Sequence, residues 1–146
     1  MNLFQLGTYG VIVDLAKTKA FYSTLPQISA NCSCGNCVYF EKVVIKQPLR
    51  LFDLLKDMQV DLSRQPDINP DGVYAITIQP NKINYHGYYL VCGSVENDTH
   101  DIPLFDSLHG FEDFEQADFS GLKVAVSKVD DEKVAVEFDI LIEKCT

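Results

Sequence analysis

The strongest hydrophobic period in the chain is helical. Leu51, Leu54, Leu55 and Met58 stand at i, i+3, i+4 and i+7, with Arg50, Asp53, Lys56 and Asp57 among them. That spacing puts one apolar stripe on a helix and the charges on its other faces. Pro48 opens this helix, where its missing N–H costs nothing. Just upstream, residues 36–46 predict a shorter helix carrying Phe40, Val43 and Val44 on one face.

Elsewhere the pattern is mainly that of strands. Within residues 8–25, Tyr9, Val11, Val13 and Leu15 alternate with Gly10, Ile12 and Asp14. Phe21 and Tyr22 answer beyond a polar Lys17-Thr18-Lys19 corner, which predicts a hairpin closed by Pro26. Val73–Gln79 and residues 84–95 predict two more strands, joined through Pro80, Asn81 and Lys82. Tyr74, Ile76 and Ile78 share a face of the first; Tyr85, Tyr89, Val91 and Val95 share a face of the second. Gly87 and Gly93 interrupt the second strand, as glycines do at a bulge or a close backbone approach. Near the C-terminal end, Leu122, Val124 and Val126 face the same way as Val134, Val136, Phe138, Ile140 and Ile142 across an Asp130-Asp131-Glu132 corner. This predicts an antiparallel hairpin with one wet face. Residues 65–72 are rich in turn formers, and residues 96–121 show no regular period. Short turns link neighbouring strands, and the alternation needed for a parallel sheet is missing. The expected fold class is α+β: a mainly antiparallel sheet with one helical segment, residues 36–58, packed on one face, in a single domain spanning residues 1–146.

Composition narrows the function classes. A chain of 146 residues, 47% of them apolar, is long enough to bury a core without covalent staples. A net charge of −9 argues against nucleic acid, and no basic face stands out. No apolar run approaches the roughly 20 residues a membrane helix needs, and the first residues lack the charge and apolar run of a signal peptide. A cytoplasmic location is therefore expected, with thiols reduced and Asn31-Cys32-Ser33 and Asn97-Asp98-Thr99 irrelevant as glycosylation sites.

Three of the five cysteines, Cys32, Cys34 and Cys37, fall within six positions. Three thiolates that close can hold zinc, with Cys92, His86 or Cys145 as the fourth ligand that a structural site requires. Cys34 and Cys37 can equally form a redox pair, activated by the amides of a helix starting near Asn36. Packing without chemistry is the third reading. Asp67, Asn69, Asp71 and Gly72 copy the first half of a calcium loop, but Ile78 stands where a bidentate Glu is required, so a plain turn is expected. His86, His100 and His109 form no readable pair with an acid, and neither a nucleophile elbow nor a phosphate loop is present. Residues 96–121 hold eight carboxylates, no Lys or Arg, and Phe105, Phe111, Phe114 and Phe119. That stretch reads either as a solvated loop whose phenylalanines tuck back into the core or as a contact for a basic protein partner, and any partner contact is expected there.

The middle of the chain also resembles a family of small uncharacterised bacterial proteins. The shared features are Cys34 and Cys37, Tyr39-Phe40, the leucine-rich run from Leu51 to Asp61, and Tyr85-x-Gly87-x-Tyr89-x-x-x-Gly93. The resemblance spans residues 32–95 and departs at Gln59-Val60-Asp61, where the family pattern begins with glycine. It implies no activity. It does imply that the Cys34–Cys37 pair and the Gly87 strand belong to one structural plan, with Cys92 incidental. The expectation is a non-enzymatic cytosolic binding or accessory protein whose cysteines are structural or metal-holding; a thiol–disulfide redox protein is the alternative.

Overall fold

The fold is organised around one long strand. In the computed structural model, residues 2–31, 35–64, 73–79, 82–96, 112–116 and 121–143 are described. The strands are β1 (Asn2–Leu6), β2 (Tyr9–Val13), β3 (Val73–Gln79), β4 (Lys82–Val95), β5 (Glu112–Gln116), β6 (Gly121–Lys128) and β7 (Lys133–Glu143). The helices are α1 (Leu15–Ser23), α2 (Ile28–Asn31), α3 (Gly35–Lys42) and α4 (Arg50–Asp57), with a 3-10 turn at Val44–Lys46. Six strands run in the order β1-β2-β4-β7-β6-β5, β3 adds to β4, and every pairing is antiparallel. The α+β class expected from the periodicities is the class found. No helix among the described residues is long and apolar enough to cross a membrane.

β4 has 14 residues, enough to serve different partners along its two edges. One edge pairs with β7 from Lys82↔Glu143 to Cys92↔Lys133. The other is divided: β3 takes the first part, from Lys82 to Gly87, and β2 takes Gly93, Ser94 and Val95. Between them α1 fills the gap with side chains. The Asp14 N–H donates to Cys92 O at 2.8 Å, and the Cys92 N–H donates to Thr18 Oγ1 at 3.1 Å. Tyr22 Oη donates to Leu90 O at 2.8 Å and accepts from the Leu90 N–H at 3.0 Å. Thr18 and Tyr22 are one helical turn apart, so their hydroxyls stand in for a strand and satisfy backbone groups that burial would leave orphaned.

This arrangement corrects the hairpin expected over residues 8–25. Asp14 ends β2 and caps α1, its carboxylate accepting from the Lys17 N–H at 3.0 Å. The polar Lys17-Thr18-Lys19 sequence is the body of the helix rather than a corner, and Thr18 is fully buried. The true hairpin lies earlier. β1 pairs with β2 from Leu6↔Tyr9 outward, across a two-residue loop that begins with Gly7 at φ 61°, a conformation that glycine adopts without strain.

α3, the 3-10 turn and α4 cover one face of the sheet, as the helical period predicts. Phe40 stacks on Phe138 with centroids 5.8 Å apart and meets Tyr85 at 5.1 Å, while Phe138 also stacks on Tyr89. Leu51, Leu55 and Met58 join the same core, but Phe52 is the fourth fully buried residue in place of Leu54, which is only half-buried. Pro48 lies two residues ahead of the first turn rather than in it, since Leu49 caps the helix. At the other end Met58 is the cap and Gln59 adopts φ 72°. The Gln59 N–H donates to Lys56 O at 2.9 Å and the Val60 N–H to Leu55 O at 3.0 Å, the paired bonds of a Schellman ending.

The opposite face of the sheet is drier than the hairpin reading expected. Ala125, Ser127, Ala135 and Glu137 alternate with the core positions of β6 and β7, yet all four are buried. Tyr88, Leu90 and Ala135 form a second small cluster against Phe21 and Val129. Adjacent residues of α1 therefore serve both layers, Tyr22 the main core and Phe21 both clusters.

Candidate functional site

The cysteines fall in different surroundings. Cys37 sits on α3, buried among the residues of the main core, and Cys92 sits on β4 with its side chain on the Tyr88–Leu90 side. Cys92 is a free thiol. The structure thus places Cys37 and Cys92 toward opposite faces of β4 and does not bring them together. Cys32, Cys34 and Cys145 lie outside the described residues, as do His100, His109 and the turn from Asp67 to Gly72. His86 shares the Cys92 face but stands six residues away, about 20 Å along a strand. Among the described residues no three His, Cys, Asp or Glu side chains converge as a metal would require. Burial pushes the Cys92 thiol up; the nearby Lys133 ammonium and the Thr18 hydroxyl offset this only in part.

Strand register creates a pair that the sequence analysis did not see. His86 on β4 stands opposite Asp139 on β7, with Nδ1 3.5 Å from Oδ2. Asn84 Nδ2 donates to Asp139 Oδ1 at 2.8 Å, and Lys123 faces the same carboxylate from β6. The hydrogen bond from His86 leads the effects that hold the Asp139 carboxyl below its usual range, against the opposing pull of burial. Ser127 supplies the hydroxyl of β6, its oxygen buried and without a hydrogen-bond partner among the described residues. It stands four residues from Lys123 along the strand, about 13 Å, so these groups do not assemble into a Ser–His–Asp relay.

Of the expected aromatic anchors in residues 96–121, only Phe114 is described. It is 9% exposed, joins the main core, and carries the Arg50 guanidinium 4.2 Å above its ring. Arg50 Nη2 also donates to Phe114 O at 3.1 Å. This phenylalanine belongs to the fold rather than to a docking surface. Of the carboxylates in residues 96–121, Glu96 follows β4, Glu112, Asp113 and Glu115 lie in β5, and the others fall outside the described residues.

The place where shape and charge coincide is a groove of about 660 Å³ between α1 and the chain that follows α4. Lys19 and Ser23 line it from α1, Lys46 from the 3-10 turn, Lys56 from α4, and Ser63 and Arg64 from the far wall, over an apolar floor that includes Tyr22 and Leu62. The wall is held firmly. The Ile28 N–H donates to Ser63 O at 2.8 Å, Tyr89 Oη donates to Leu62 O at 2.6 Å, and Arg64 Nη1 donates to Leu25 O. Asp61 is the lone carboxylate in the lining among the described residues; Arg64 Nε pairs with it at 3.2 Å and Ser63 donates to it twice. The three lysines have no such partner among the described residues.

This overturns the expectation that no basic face stands out. The available signal was the distribution of charge along the chain: residues 1–64 carry seven Lys and Arg against five Asp and Glu, and the remainder carries five against sixteen. The net total conceals a basic half.

A second hollow of about 540 Å³ lies beside Cys92, lined by Asp14, Lys17, Phe21, Asp131, Glu132 and Lys133 among others. Its charges are mixed, and Lys133 is directed over the Phe21 ring at 5.2 Å. Comparison of the chain with protein-family models, curated proteins and solved structures finds no match in any of the three.

Proposed function

We propose that this protein is a non-enzymatic binding or accessory module that takes a ligand in the groove between α1 and the Gln59–Arg64 wall. One observation carries the proposal: a cavity of about 660 Å³, within the size range of small-molecule sites, whose wall is fixed by backbone hydrogen bonds before any ligand arrives. Preorganisation of that kind lowers the cost of binding. The burial of Cys37 within the main core supports a structural role for the cysteine segment. A basic protein partner for residues 96–121 belongs to the same reading, on the strength of the eight carboxylates there.

Kinship to the small bacterial family is part of this proposal. It is supported by Gln59, which adopts φ 72° at the position where the family pattern has glycine. A helix ending of that geometry accounts for glycine in the pattern.

The test is a fragment screen read by backbone amide shifts, using a library of neutral, cationic and anionic molecules. Saturable shifts should gather at Lys19, Ser23 and Gln59 through Arg64. Hits that leave those amides unmoved and gather elsewhere would refute the groove as the ligand site.

A further inference from the structure

The charge of the groove says which ligands it favours. Lys19, Lys46 and Lys56 are all exposed and line one cavity, in a chain whose net charge is −9. The carboxylate in the lining, Asp61, is already neutralised by Arg64 at 3.2 Å. Behind the wall, the buried Glu41 carboxylate is matched by Lys42 at 3.8 Å. The C-terminal end of α4 also borders the groove and would oppose an anion through the helix dipole. Its carbonyls at Leu54, Leu55 and Lys56 are, however, taken by the N–H groups of Met58, Val60 and Gln59. Among the described residues, three lysines without a carboxylate partner remain around an apolar floor of Tyr22, Ile45, Val60 and Leu62.

We infer that the groove binds a small organic anion, with a phosphate or carboxylate head held by Lys19, Lys46 and Lys56 and an apolar body laid on the floor. The inference rests on the groove being the ligand site and adds the chemical class. Size follows from charge. A long polyanion would extend beyond the groove into the field of a chain with net charge −9, whereas a small anion within about 10 Å of the lysines is governed by them. Exposed lysines attract an anion without fixing its geometry as a bidentate arginine would, so the floor supplies the shape selection. The stems of the lysines extend that apolar surface.

The experiment is an amide-shift titration of the full chain at about 20 mM salt, where screening is weak, with four probes of one ring size: phenyl phosphate, benzoate, benzyl alcohol and benzylamine. Phenyl phosphate should shift Lys19, Ser23, Gln59 and Ser63 saturably, and benzoate should do so with equal or lower affinity. Benzyl alcohol and benzylamine should bind at least about tenfold more weakly, and raising the salt to about 0.5 M should weaken both anions. Lys19→Glu, Lys46→Glu and Lys56→Glu should each lower phenyl phosphate affinity about threefold to tenfold. Lys17→Glu, an equal charge change on α1 outside the groove, should lower it less than about twofold. Saturable binding of benzyl alcohol as tight as phenyl phosphate would overturn the inference while leaving the groove as a ligand site. Failure of both anions to shift the groove amides, or an effect of Lys17→Glu as large as that of the groove variants, would also overturn it.

Discussion

Replacing Tyr22 with Phe removes one oxygen atom and should open the sheet edge. That hydroxyl both donates to Leu90 O at 2.8 Å and accepts from the Leu90 N–H at 3.0 Å. Tyr22 is 2% exposed and Leu90 is 1% exposed, so water has no access to replace either bond. A buried donor or acceptor left without a partner costs about 1–3 kcal/mol. Two such groups, less a small gain from burying a more apolar ring, give about 2–4 kcal/mol, a large part of the roughly 5–15 kcal/mol typical of a domain. Urea unfolding at equilibrium measures this directly, and hydrogen exchange at the Leu90 amide localises it. Thr18 provides the control. Thr18→Val removes the acceptor for the Cys92 N–H and should cost about 1 kcal/mol, because Cys92 is only half-buried, whereas Thr18→Ser keeps the hydroxyl. If Tyr22→Phe lies within about 0.5 kcal/mol of the parent with Leu90 still protected, the reading of α1 as a substitute strand is wrong.

The same burial predicts alkaline sensitivity. Desolvation raises both the Tyr22 and Tyr89 phenols well above the usual value, so their neutral forms are favoured in the folded state. That contribution is complete below the unfolded value of about 10 and is lost as pH rises beyond it, at up to about 2.7 kcal/mol per pH unit for two groups; a flat urea midpoint between pH 9.5 and about 11 would contradict it. Asp139 acts in the opposite sense: its depressed pKa contributes stability that is present above about pH 4 and lost as pH falls, so Asp139→Asn should flatten the acid limb of the stability profile. Gly93→Ala should destabilise by about 3 kcal/mol or more, since a Cβ there would meet the Ile12 carbonyl oxygen at 1.9 Å, while Gly10→Ala meets first the mobile end of Glu96 and should be milder; equal unfolding midpoints would refute the close approach of β2 and β4. Gln59→Gly should stabilise by about 0.5–1 kcal/mol by relieving a left-handed residue at φ 72°, and a loss of stability would refute strain at that position.

How much of the fold could be read in advance depends on where each element obtains its stability. β6 and β7 pair with each other and bury one face, so alternation alone located Leu122, Val124, Val126 and the five apolar residues of β7 correctly. The α4 stripe was legible for the same reason, but Phe52 and Leu54 exchange depth because the packing angle against the sheet, which no period encodes, decides which side of the stripe goes deepest. α1 was illegible because its buried face consists of Thr18 and Tyr22, a polar and an amphipathic residue serving the sheet edge by hydrogen bonding. A search for apolar residues at helical spacing passes over such a helix. The Asp14 cap was its readable mark.

The candidate site was hidden for a different reason. Its lysines come from three separate elements, α1, the 3-10 turn and α4, and lie 27 and 10 positions apart in the sequence. No local window holds all three, and only packing brings Lys19 to the other two. The scaffold that does so is itself indirect: Tyr89 on β4 fixes the Leu62 carbonyl, and Tyr22 ties α1 to Leu90 on the same strand. Both walls of the groove are thus anchored to β4, one through each tyrosine hydroxyl. A ligand that draws the walls together would load those two bonds, and a variant that cuts either one should loosen the groove along with the fold. Tyr89→Phe should therefore weaken phenyl phosphate binding with every lysine still in place, by about twofold to fivefold if the wall shifts by a fraction of an ångström. Unchanged affinity in that variant, with the expected loss of stability, would separate the groove from its scaffold and show that the lysines alone determine binding.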